Sequence, residues 1–357
     1  MRKNRVLVII GVIALILTLV ALPVAGCAKP APAPAPTPAP APEVFEWKMQ
    51  TYAVAETVDY KGQQEAVAWL QRASGGQLNI TLFPSGALVG YADMLEALGA
   101  GTFEVAFNVV SFFAGLDPGF YAICGLPGID RSPRDVRIWF DHFGGNEIYR
   151  EAYAKYNAHF LRPTIMGAEG LFSKKPIRTI GDLKGIKVRT VPGLSHELFV
   201  KLGASPQALG GGELYTALDT GLIDAAEFVT LTTNYNMGFH EVTKYLLYPS
   251  FHAPTFNSDV SVNMDAWNKL PDDLKAIMEA FAQRVSDNYN YWGAAADYET
   301  LTKLEAAGME INELSEADKA KITQMGLEGA QAWRAKSALS EAAISSWFDY
   351  MHYIGKM

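Results

Sequence analysis

The sequence predicts an α/β protein built from two units, and three observations carry that prediction. From Val44 onward, strand-like and helix-like stretches alternate, as they do in a domain with a largely parallel sheet. The alternation restarts after the helical stretch Asn146 to Ala158 and runs to about Pro254. A further strand-like stretch, DVSVNMDAW (259–267), follows the second unit and reads as a return to the first. With 357 residues, 49% of them hydrophobic and 19% charged, the chain can bury two such cores.

Each element has its own signal. FEWKMQTYA (45–53) has the aromatic and β-branched content of a strand. KGQQEAVAWLQRASGG (61–76) reads as a helix stopped by Gly75 and Gly76. QLNITLFP (77–84) alternates apolar and polar residues, as a half-buried strand does. A short helix, YADMLEALGAG (91–101), precedes the apolar strand FEVAFNVV (103–110). In the second unit, HFLRPTIMG (159–167) is a strand and the stretch 168–185 a loop. IKVRTV (186–191) is a strand, LSHELFVKLGA (194–204) and GELYTALDTG (212–221) are helices, and IDAAEFV (223–229) is a strand. Pro271, Asp272 and Asp273 open a helix. Ser315 to Asp318 resembles a capping box that opens another.

Before these units come a leader and a spacer. MRKNR followed by the apolar run 6–26 reads as a secretory signal. It ends in Val24, Ala25, Gly26 and Cys27, a sequence resembling the bacterial lipobox, in which Cys27 is lipidated. The alternative is an uncleaved anchor, because the run approaches the roughly 20 residues of a spanning helix. Either reading puts the rest of the chain outside the cytoplasmic membrane, tethered to it. The Ala-Pro stretch 28–43 favours extended polyproline geometry and spans roughly 50 Å. Net charge is −8 for the whole chain, and −11 once Arg2, Lys3 and Arg5 are removed with the leader. Such a chain disfavours nucleic acid and anionic membrane surfaces as partners. Cys124, in an apolar setting, reads as a small buried hydrophobe.

Enzymatic templates are missing. His240-Glu241 and His196-Glu197 each lack the second histidine of a metalloprotease helix, with Lys244 and Val200 in its place. Ser195 lies in Gly-Leu-Ser-His-Glu rather than in a nucleophile elbow, and LGGGELY is not a phosphate loop. The six histidines show no metal-ligand spacing. What stands out is polar residues near strand ends of the second unit: Arg189 closing an apolar strand, Glu169 in a loop, and Glu227 with Phe228 after GLIDAA. A strand-end arginine serves either a structural ion pair or, through its planar bidentate fork, a carboxylate ligand.

The run SKKPIRTIGDLKGIKVRTVPG…LFVKLGASPQALGGGELYTALDTGLIDAAEFV resembles the central motif of the DctP-type substrate-binding proteins of TRAP transporters, the ATP-independent tripartite uptake systems of prokaryotes. AGLDP, YPSFHAP and LPDDLKAIMEAFAQ extend the likeness over nearly all of the globular part. The resemblance implies a hinged, two-lobed, periplasmic-binding-protein-like fold with lobe-bridging helices. One lobe would comprise 44–166 and about 255–294, the other 167–254 and about 295–320, with C-terminal helices over 321–357. It implies a small organic acid as ligand, Arg189 as its carboxylate clamp, a membrane permease as partner, and ligand contacts from Glu227 and Phe228. Tyr52 and Ser111 stand at strand ends where the family contributes further contacts, or else pack in the core, and His252 is a pocket wall or a satisfied loop histidine.

Within the family, DAAEF, FHAP and LGGGELY resemble the branch that binds 2-oxo or hydroxy acids with a metal ion, so Na⁺ or Ca²⁺ could accompany the ligand at Glu227. The chain departs from its relatives at three points. Glu169 stands where dicarboxylate and sialic-acid binders carry a second arginine. Gly167 stands near an ion-binding glutamine, and Phe228 replaces a tryptophan. A single clamp arginine favours a monocarboxylate. The alternatives are a solute sensor, a component of an ATP-driven importer, a tethered hydrolase, and a structural lipoprotein.

Overall fold

A computed structural model describes residues 42–55, 57–129 and 132–357. The leader, Cys27 and nearly all of the Ala-Pro stretch lie outside the described residues. Eleven strands are formed among the described residues: β1 (Phe45–Thr51), β2 (Leu78–Phe83), β3 (Val105–Val109), β4 (Ala158–Met166), β5 (Leu171–Ser173), β6 (Lys187–Arg189), β7 (Ser205–Gln207), β8 (Ala225–Ala226), β9 (Tyr245–Leu247), β10 (Phe256–Asn263) and β11 (Glu310–Asn312). They form two sheets, ordered β2-β1-β3-β10-β4 and β11-β9-β5-β8-β6-β7.

The first sheet is mixed, not largely parallel. β1 runs parallel to β2 and β3, but β10 is antiparallel to both β3 and β4. The reason lies in β10, which enters from the second sheet and is buried along its whole length. Its alternating polar residues therefore find internal partners. Asp259 accepts from the Tyr153 hydroxyl at 2.6 Å, Ser261 from Asn108 at 3.0 Å, and Asn257 donates to the Ile123 carbonyl at 3.1 Å. Buried polar groups left without such bonds would each cost about 1–3 kcal/mol.

Three connections join the sheets. Residues 167–170 carry the chain from β4 to β5, and residues 248–255 return it from β9 to β10. The third is helical. Asp272–Asn288 packs on β4 and on the helix Val58–Ala73. It continues through a π-helical turn, Tyr289–Gly293, into Ala294–Ala306, which packs on the helix Leu231–Asn236 and leads to β11. The helix Glu316–Trp333, capped by Ser315 as expected, lies on the helix Leu194–Lys201. The last helix, Ala338–Tyr353, returns to the first sheet's side, where Trp347 stacks on Trp139 with ring centroids 4.0 Å apart. No helix among the described residues is long and apolar enough to cross a membrane.

Candidate functional site

Strand order brings the site together. β8 lies beside β6 in parallel, with Val188 opposite Ala225, so Arg189 and Glu227 emerge at adjacent carboxyl ends. β7 flanks β6 on its other side, also parallel, and delivers the loop that carries Leu209. Carboxyl ends of parallel strands are where open α/β sheets hold ligands. Arg189 is buried here at 5% exposure. Its Nε donates to the Leu209 carbonyl at 3.2 Å, and Nη1 donates to both the Glu227 carbonyl, at 2.9 Å, and its Oε1, at 3.0 Å. These bonds use three of the five N–H donors and leave the two on Nη2. The guanidinium also sits 5.3 Å from the centroid of the Phe228 ring. Phe228 can lie there because residue 211 is glycine: a Cβ at that position would come within 2.8 Å of the ring.

Two further carboxylate and imidazole groups complete the cluster. Glu169 arrives on the β4–β5 connection, which the return connection grips by two backbone bonds, Glu169 N–H to the Ala253 carbonyl and Ser250 N–H to the Glu169 carbonyl, each 3.0 Å. His252 Nε2 lies 3.1 Å from Glu169 Oε2, and its Nδ1 lies 2.6 Å from Ser250 Oγ. Burial, and then the charge and hydrogen bond of Glu227, push the Glu169 carboxyl well above the usual range. Burial acts on Glu227 in the same direction, but Arg189, with the hydrogen bonds from Glu169 and Arg189, outweighs it and holds Glu227 low. Burial lowers the His252 pKa below its usual value, against the charge of Glu227.

One protonation pattern satisfies every group. Ser250 donates to His252 Nδ1, Nε2–H donates to Glu169, protonated Glu169 donates to Glu227, and Glu227 remains the counter-ion of Arg189. The cluster then has a net charge of zero.

These residues line a cavity of about 70 Å³ that also touches Ser111, Phe112 and Tyr121. Of the predicted site residues, Arg189, Glu169, Glu227, Phe228, Ser111 and His252 all face it. Tyr52 does not. It stacks on Phe107 at 5.2 Å and lines a smaller void behind Phe228 and Val229, beside Asp59. Cys124 is buried and also borders the main cavity.

Sequence reasoning missed Tyr121 and Ser195. Tyr121 donates to Ser195 Oγ at 2.6 Å, and Ser195 Oγ donates to the His252 carbonyl at 2.8 Å, which ties the first-sheet side to both second-sheet segments. Gly193 permits this contact: its φ is +150°, and a Cβ there would lie 2.2 Å from the Tyr121 ring. Val229, which also faces the cavity, holds the left-handed conformation at φ 63°, rare for a β-branched residue and often found beside binding sites.

Two sheets with a cavity lined by Arg189, Glu227, Glu169 and His252 have the arrangement of a solute-binding protein. The chain belongs to the DctP family, bacterial extracellular solute-binding protein family 7, which it matches over residues 49–335. The family's members are the solute-binding proteins of TRAP transporters, receptors rather than enzymes, and the two-lobed fold expected from the sequence is theirs. Among curated relatives, the monocarboxylate 2-oxoacid-binding periplasmic protein of Nostoc is 28% identical, over 84% of this chain and 82% of its own length. The sialic acid-binding protein SiaP of Vibrio cholerae is 27% identical, over 74% and 81%. A TRAP solute-binding protein from Colwellia psychrerythraea, solved with calcium and pyruvate, superposes with TM-score 0.78 at 25% identity, covering 88% of this chain and 96% of that one. Another, from Bordetella bronchiseptica, solved with calcium and picolinate, gives 0.79 at 25% identity, covering 88% and 94%.

Proposed function

We propose that this chain captures a small monocarboxylate, such as a 2-oxo or hydroxy acid, and delivers it to a TRAP permease. The observation carrying this reading is a single guanidinium, Arg189, lining a cavity of about 70 Å³ with its Nη2 donors left over from the bonds of Nε and Nη1. At roughly 10–15 Å³ per water, such a volume holds about five to seven waters, suiting a ligand of a few heavy atoms far better than a sugar acid. Glu169, where a second arginine would favour a dicarboxylate, instead takes part in the proton-sharing chain.

The charge balance adds a condition. Glu227 already neutralises Arg189, so a bound anion would leave the buried site one charge negative unless a cation or proton came with it. Glu169, Glu227 and His252 offer ligand atoms within 4.8 Å of one another. Two carboxylates form the hard oxygen set that Na⁺ or Ca²⁺ prefers, with the ligand's own oxygens completing it. Ca²⁺ there would displace the proton on Glu169 and balance cluster and ligand together, whereas Na⁺ would balance them only with that proton kept.

Titration calorimetry of pyruvate, lactate, succinate and sialic acid, with calcium and with chelator, tests the reading. Pyruvate or lactate should bind, and chelation should weaken the binding by tenfold or more. Succinate or sialic acid binding more tightly than either would overturn it.

Around this site we place the lobe boundaries by sheet membership. The first lobe takes 44–166 and about 255–294, the second 167–254 and about 295–320, and the helices of 321–357 close over both. The tether is read from Cys27. In cell fractionation, wild type should remain with membranes and Cys27→Ser should be released; wild-type protein found in the soluble fraction would exclude the anchor.

A further inference from the structure

The largest cavity described is not the one around Arg189. It has a volume of about 400 Å³ and lies across the β4–β5 connection: Glu169 faces the first cavity, Gly167 and Ala168 the second, and Val229 borders both. Its walls include Ile165, Tyr248, Tyr289 and Tyr298, and the π-helical turn Tyr289–Gly293 forms one side. Interruptions of this kind in a helix recur at functional sites. The volume falls in the range of pockets for small organic ligands.

Arg137, on the helix Pro133–His142, reaches this cavity. Its Nη1 is buried and has no hydrogen-bond partner. The helix packs on β4, and Arg162 of that strand also has a buried guanidinium nitrogen, Nε, without a partner. Burial, followed by the neighbouring Arg162 charge, lowers the Arg137 pKa, and the charges of Asp141 and Asp287 oppose this. Two guanidinium groups close to each other, neither in an ion pair among the described residues, are an unbalanced arrangement. Like charges sharing a partly desolvated site repel, and donors without acceptors lose the bonds that water would give them. An anion at Arg137 would correct both deficits at once.

We propose that this cavity is a second ligand site, in which Arg137, backed by the charge of Arg162, binds the carboxylate of a flat, aromatic monocarboxylic acid. The planar fork of a guanidinium matches a carboxylate, and the tyrosine rings offer stacking surfaces to an aromatic body. Asp297 stands in the same wall, its carboxylate occupied by the Thr232 N–H at 2.8 Å and hydroxyl at 2.7 Å. Its charge disfavours a second negative group on the ligand. Apart from Val229, which borders both cavities, this site shares no lining residue with the first, so either can fail without the other.

Benzoate is a suitable probe, titrated calorimetrically into Arg189→Ala/Glu227→Gln protein, so that the first site contributes little and no buried charge is stranded. It should bind, and adding Arg137→Gln should weaken binding by tenfold or more. Arg137→Gln alone should leave pyruvate binding at the first site unchanged. Without ligand it should melt no lower than wild type, because it removes an uncompensated charge. Arg162→Gln gives an independent second variant and should weaken benzoate by a smaller factor. Inorganic phosphate should bind at least tenfold more weakly than benzoate. No benzoate binding at millimolar concentration, benzoate binding indifferent to both substitutions, or phosphate binding as tightly as benzoate would each overturn the assignment.

Discussion

Arg189→Ala is expected to lose monocarboxylate binding by about 30-fold to more than 1,000-fold, the range for truncating one partner of a buried, hydrogen-bonded charge pair, about 2–5 kcal/mol. Lysine should not rescue it, because an ammonium cannot reproduce the fork that holds the Leu209 carbonyl, Glu227 and a ligand together. The substitution has a second consequence. It strands the Glu227 carboxylate, which is 5% exposed, and breaking a buried pair from one side costs about 3–5 kcal/mol of stability. Loss of binding alone could therefore reflect loss of fold.

The double variant Arg189→Ala/Glu227→Gln separates the two effects. With no charge left to strand, it should regain much of the thermal stability while still failing to bind pyruvate. A folded double variant that binds pyruvate like wild type would defeat the clamp assignment. Glu227→Gln alone is the converse probe. It removes the counter-ion that competes for Arg189, so an anion should bind with less dependence on calcium. Together these variants test whether Glu227 serves as the resident substitute for ligand charge, as the neutral cluster implies.

How much of this was legible in the sequence depends on length and on direction. The long amphipathic helices and the strands of the first sheet carry enough periods to be read, and β1, β2 and β3 lie within the predicted stretches. The second sheet is built from strands of two or three residues. β5, β7, β9 and β11 are too short for alternation to show, and β5 falls in a stretch read as loop. Strand direction leaves no local mark, so nothing in DVSVNMDAW disclosed that β10 runs antiparallel between two neighbours.

The site divides in the same way. Arg189 and Glu227, 38 residues apart, meet only because β6 and β8 pair in parallel. The sequence flagged each residue, but the ion pair and the clamp were read as competing roles, whereas one guanidinium presents both faces. Tyr121 left no signal because its helix, Gly119–Cys124, reads as featureless core. Tyr52 was placed at the site by its strand end, yet the pleat turns its ring onto Phe107.

Stability should fall as pH rises from 5 to 8, the reverse of what paired surface acids produce. Two buried aspartates set this sign. Asp59 is 6% exposed, with Oδ1 unpartnered and Oδ2 accepting from Thr233 at 3.4 Å; burial, and then the charge of Asp297, push its pKa to about 7. Asp259, in the middle of the first sheet, is pushed to about 7 by burial, against the hydrogen bonds from Tyr153, Ser261 and Asn108. An unfolded aspartate titrates near 3.9. Between roughly pH 4 and 7 the folded chain therefore holds more protons than the unfolded one, so the stability these carboxyls contribute is complete below pH 4 and is lost as pH rises through 7. At 1.36 kcal/mol per unit, each could withdraw on the order of 2–4 kcal/mol by pH 8. The acids held low, Asp135, Asp182 and Asp224 among them, act in the opposite sense below pH 4. His159, lowered to about 4, and His252, also lowered, offset part of the fall up to about pH 6.5, so the drop is steepest above it. Urea midpoints should drop between pH 5 and pH 8, and Asp59→Asn should raise the midpoint at pH 8 while flattening the slope. A midpoint that is level or rising over this range would show that these carboxyls ionise freely. Thr233 belongs to the segment between β8 and β9, whereas Asp59 opens the helix between β1 and β2. The group that loses its proton near neutrality therefore lies at a contact between the two sheets' segments, which added charge weakens.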